Sequence, residues 1–130
     1  MNARPLDRAL VLGLDLYLCT SERMFTVLMN QMLRPTSSRP DPWCPFGKAC
    51  HHTVDFPGRL PASVVCIDAH AARFADDPIL AAAVLVHEAT HAKQRFMEVI
   101  GERSPSTEFE AYAMQNLTEN LLREYHRQMF

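Results

Sequence analysis

Between Asp77 and Gly101 the chain reads DPILAAAVLVHEATHAKQRFMEVIG, and this stretch constrains the fold more than any other. Asp76 or Asp77 offers a side-chain cap. Pro78 suits the first helical position because an N–H there would have no helical partner anyway, and Gly101 supplies a left-handed stop. Nothing between those marks breaks a helix, so one is expected from Pro78 through Phe96 or beyond. The run AAAVLV makes it a helix built for burial, which requires another layer packed on it.

The last segment, SPSTEFEAYAMQNLTENLLREYHRQMF, supplies one such layer. Ser104 or Ser106 can cap it, and Phe109, Ala113, Leu117, Leu121 and Tyr125 recur every four residues, the mark of a helix buried along one stripe. At the other end, residues 6–33 are mostly apolar and free of proline. Leu10, Leu14, Tyr17, Leu18, Phe25, Leu28, Met29 and Met32 stand at intervals that suggest one helix or two, broken near CTSER, where Thr20 or Ser21 can cap a second start.

Residues 35–61 hold six of the nine prolines, which rules out a regular helix and predicts irregular or β-edge structure. ASVVCID, residues 62–68, then reads as a short strand because Val64, Val65 and Ile67 favour extended backbone. At 130 residues and 48% hydrophobic, the chain suits a single domain over 1–130, with 35–61 as a Pro-rich excursion within it. The expected class is α+β, predominantly helical, with a small sheet at one edge of the long helix.

Charge narrows the possible partners. The net charge is −2, the arginines are scattered, and no long basic run occurs, so nucleic acid and an anionic membrane surface are not expected partners. MNARPLDRALVLGLDLYLCTS resembles a signal peptide only superficially, because Asp7 and Asp15 interrupt its apolar stretch. No stretch is apolar for long enough to span a bilayer. A cytoplasmic location is expected, with Cys19, Cys44, Cys50 and Cys66 as free thiols, since their spacing matches no disulfide framework.

His87, Glu88 and His91 are the residues that ask for chemistry. Histidines four apart project from nearly the same helix face, so both imidazoles can reach one zinc ion at about 2.0–2.1 Å. Glu88 projects beside that face, where it can take a proton from water. An H-E-x-x-H pattern arises by chance in about one chain in a few hundred of this size. Two histidines do not complete a site. No histidine stands six residues on, where Met97 is found, and Glu98 lies about 10 Å along the axis from His91. Glu108 and Glu110 remain, because GERSPST can span about 23 Å and so bring the chain back to the motif.

HEATH followed by EFEAYA resembles the gluzincin metallopeptidases, and in scale the very small single-domain minigluzincins. The resemblance covers residues 62–117. It implies a zincin-like fold and a zinc-dependent peptidase acting on a peptide or protein substrate. Matching the family's E-x-x-A places the metal ligands at His87, His91 and Glu108, with Glu110 as a neighbour and Glu88 as general base. Many gluzincins carry Asp directly after that Ala; here Tyr112 stands there, either supporting an imidazole, polarising a substrate carbonyl or filling space. The resemblance also implies that SVVCI borders the cleft and takes the substrate as an added strand.

Three other features are weighed beside it. CPFGKACHH places Cys44, Cys50, His51 and His52 within nine positions, as a polar loop, a self-blocking loop, or a second metal site or disulfide; its C-x₅-C spacing is not that of zinc fingers. His51 or His52 can also reach the cleft. His70 and His126 read as surface histidines, and Lys93, Arg95 and Arg103 suit the helix C-terminus. The rival function is a catalytically inactive, zinc-containing binding or inhibitory module on the same scaffold.

Overall fold

Leu16 and Leu18 pack into one core while Tyr17 and Cys19, alternating with them, pack into another. That alternation is the signature of extended backbone, and Asp15–Cys19 is a strand, β1, where the apolar spacing had suggested a helix. The computed structural model describes residues 1–6, 13–34, 42–44 and 47–130. The expectations for 7–12 and for residues 35–41, 45 and 46 of the Pro-rich excursion lie outside these residues.

The remaining elements follow in order: α1 (Glu22–Met32), β2 (Ala49–Asp55), β3 (Pro61–Ile67), the single turn α2 (Ala72–Ala75), α3 (Pro78–Ile100) and α4 (Thr107–Met129). The strands form one sheet in the order β1-β3-β2, with β1 parallel and β2 antiparallel to β3. The excursion therefore contains an edge strand. β3, the SVVCI segment, is hydrogen-bonded on both sides, so an extra strand cannot pair with it; the outer strands are β2 and β1, the latter receiving the Leu6 N–H at Leu16 O.

Two cores lie on the two faces of this sheet. On one, Leu16, Leu18, Val65 and Ile67 meet Leu85, Ala89, Ala92 and Phe96 of α3 and the α4 stripe Ala113, Leu117, Leu121 and Tyr125. On the other, Tyr17, Cys19, Val64 and Cys66 meet Met24, Phe25, Leu28 and Met29 of α1. The result is α+β and mainly helical, with helices on both faces of a small sheet.

Local signals set the helix ends. Ser21, Asp77 and Ser106 each accept a hydrogen bond from a first-turn N–H, at Met24, Leu80 and Phe109. Gly101 closes α3 at φ 74°, a left-handed conformation that only glycine adopts freely. Among the described residues no helix is long and apolar enough to cross a membrane.

Candidate active site

α3 presents His87 and His91 on its solvent side, next to the edge of β2. Four helical residues turn about 400°, so the two rings fall about 40° apart; their centroids are 5.1 Å apart, edge to face at 76°. His91 Nδ1 lies 3.2 Å from the Gln94 side-chain oxygen. If that contact has Nδ1 as donor, Nε2 keeps its lone pair for a ligand.

Glu88 stands one residue, about 100°, further round. That rotation takes it from solvent to the sheet: its residue is 5% exposed, whereas the His87 side chain is 70% exposed. Its Oε1 lies 4.0 Å from His87 Nε2. Burial pushes the Glu88 carboxyl above its ordinary range, against the opposing pull of His87 and His91. Burial thus makes this carboxylate a better proton acceptor than a solvated one.

β2 contributes a fourth group. Its CHH triplet alternates in direction, so Cys50 and His52 face the α1 core while His51 faces α3. The His51 ring sits 6.0 Å from that of His91, and its Nε2 is 2.8 Å from Ser63 Oγ. Burial first, then the charges of His91 and His52, lower its pKa to about 4. His51 is therefore neutral at physiological pH, the form that binds metals.

The acids of EFEA stand in the first turn of α4. Glu108 precedes Ala113, the first buried residue of the α4 stripe, by five positions, or about 140° round the helix, and it is exposed. Glu110, three positions before Ala113, lies nearer the packed side and pairs with Lys93. Lys93 is two residues beyond His91, about 200° round α3, so that pair occupies the far side of the helix. The structure thus groups His87, Glu88 and His91 and sets His51 beside them, while Glu108 stands exposed in the first turn of α4. Tyr112 is exposed on α4. Glu98 pairs with Arg95, which also reaches Asp55 on β2, and His70 and His126 are exposed.

Among the described residues, the group of three donors whose ligand atoms all lie within 4.8 Å of one another is Cys50, His52 and Cys66. This cluster can hold a metal ion, and it lies across the sheet from α3. Sequence spacing left Cys66 out because only the register of β2 against β3 puts it opposite Cys50. All four cysteines are free. A groove of about 450 Å³, lined by Lys48, Ala49, Arg73, Phe74, Val84 and His87 among others, lies beside His87. No protein-family model, curated protein or solved structure matches the chain, so its function is read from these side chains.

Proposed function

We propose that the chain is a zincin-like, zinc-dependent peptidase whose working groups are His87, Glu88 and His91. The observation that carries this reading is the burial of Glu88 directly beneath two exposed imidazoles one helical turn apart. An ionised carboxylate withdrawn from water is destabilising, and a solvated helix face gains nothing from one. A site that must take a proton and pass it on does gain.

The donor set suits zinc: two imidazoles one helical turn apart, with the Gln94 side chain beside His91 Nδ1. His87 and His91 would hold it. Of the candidate third donors, His51 is favoured by this geometry, because its ring already lies against that of His91 while Glu108 faces solvent. Bound zinc supplies Lewis acidity toward water and toward a substrate carbonyl. Glu88 takes the proton of the attacking water and delivers it to the leaving amine. The groove beside His87 and the outer edge of β2 give an extended peptide somewhere to lie, its main chain pairing with the strand.

The test is cleavage of a random peptide library by protein purified without added metal. Cleavage that stops with chelator and returns with zinc supports the proposal; no cleavage by zinc-replete protein refutes it and favours the non-catalytic module. His51→Ala and Glu108→Gln identify the third ligand. His51→Ala is expected to weaken zinc binding by about tenfold or more and Glu108→Gln to leave it unchanged; the opposite pattern would restore Glu108.

A further inference from the structure

The proposed active site uses none of the four cysteines, yet the fold gathers all of them on the other face of the sheet. Cys19, Cys66 and Cys50 stand side by side on β1, β3 and β2, because the registers pair Cys19 with Cys66 and Cys66 with Cys50. Cys44, from the segment before β2, reaches over them, its Sγ 3.6 Å from Lys48 O and 3.9 Å from Cys66 O. That segment is tied down where Gly47 N–H donates to Asp68 Oδ2 at the end of β3, at 2.9 Å. His52 enters from the same face of β2 as Cys50, 7% exposed, with its ring against Phe25 at 4.9 Å.

We propose that Cys50, His52, Cys66 and Cys44 form a buried structural zinc site, separate from the histidines of α3. Cys50 Sγ lies 3.4 Å from His52 Nε2. A tetrahedral zinc at about 2.3 Å from sulfur and about 2.0–2.1 Å from nitrogen separates two such atoms by about 3.6 Å, so the pair already stands almost at ligand spacing. Cys66 Sγ lies within 4.8 Å of both. Cys44 stands over the same group as the candidate fourth donor, its Sγ 3.9 Å from the Cys66 carbonyl oxygen. Thiolate and imidazole donors in a dry pocket select zinc over magnesium or calcium.

Simple packing accounts for buried thiols, which behave as small hydrophobes. The His52 Nε2 aimed at the Cys50 sulfur adds a nitrogen donor to them, at a separation that a shared metal needs. A metal here would clamp the β2–β3 hairpin to the segment carrying Cys44. It would also hold β2 in the register that delivers His51 to α3.

The test uses the His87→Ala/His91→Ala protein, which removes the other site through exposed side chains. Purified under reducing conditions without added metal, it is expected to retain about one zinc per chain, and cobalt exchanged into it to show thiolate-to-metal charge-transfer bands with the visible bands of a tetrahedral ion. Cys50→Ser in the same background should abolish those bands; if that variant does not fold, the parent spectrum still decides. A zinc-free double variant with no charge-transfer band overturns the proposal, as does a cysteine disulfide found by mass in freshly purified protein. The wild type is expected to carry one zinc more than the double variant if the α3 site also binds, so either site can fail without the other.

Discussion

Glu124 sits at the point where the two ends of the chain meet, and Glu124→Gln probes that junction. The carboxylate, 3% exposed, accepts from Arg4 at 3.2 Å, from Arg127 Nε at 2.7 Å and also Nη2, and from Gln128 at 2.9 Å. Gln128 in turn donates to Leu18 O and accepts from Thr20, so the network ties α4 and the N-terminal residues to β1. Glutamine keeps the shape and one acceptor but loses the charge and turns an N–H₂ toward other donors. Both arginines are well exposed and return to water cheaply, so each ion pair contributes at most about 1 kcal/mol. The buried bond from Gln128 adds about 1 kcal/mol. The expected loss is about 2 kcal/mol at pH 7, or a Tm lower by about 6–10 °C for a domain of this size.

The pH dependence gives a second check on the same residue. Burial raises the Glu124 carboxyl, but the bonds from Arg127, Gln128 and Arg4 outweigh it and leave it below its ordinary value of 4.5. A lowered carboxyl stabilises the fold above the unfolded value and loses that contribution as pH falls through the folded one. Urea unfolding of both proteins at pH 7 and in steps below pH 4.5 should show the difference shrinking with acid. Equal stability at pH 7, or a difference that persists unchanged once both side chains are neutral, would refute the reasoning.

Two further perturbations test the frame around the site. Leu121→Ala removes a fully buried side chain between α4 and α3 and should lower stability by about 3 kcal/mol; a loss under about 1 kcal/mol in denaturant melts would mean the two helices do not pack as described. Gly101→Ala places a Cβ on backbone at φ 74°, where open space gives no clash, so only backbone strain is felt. It should lower stability by about 1 kcal/mol, and a stabilised variant would contradict the left-handed stop.

Helix ends were legible because their signals are local: Asp77-Pro78 and Gly101 bracket α3, Ser106 caps α4, and the four-residue stripe from Ala113 to Tyr125 matches the buried face. Phe109, counted in that stripe, lies partly exposed one turn before the packing begins. β1 was not legible. A strand buried on both faces reads as a continuous apolar run, and DLYLC has the same composition as a stretch of buried helix. The choice between Glu108 and Glu110 was not legible either, since chain reach says how far an acid can travel but not which way a helix turns it. Cys66 and Cys19 were hidden by register, and register also decides that His51 and not His52 faces α3: which residues meet across a sheet is set by pairing between strands far apart in the chain, and spacing along the chain does not encode it.

The most direct measurement on the central claim is Glu88→Gln, read for zinc content and peptide cleavage in the same preparation. The account predicts wild-type zinc stoichiometry with cleavage reduced by about 10²-fold or more, because the ligands remain and the proton acceptor is gone. Cleavage at the wild-type rate, or zinc lost together with activity, would contradict it.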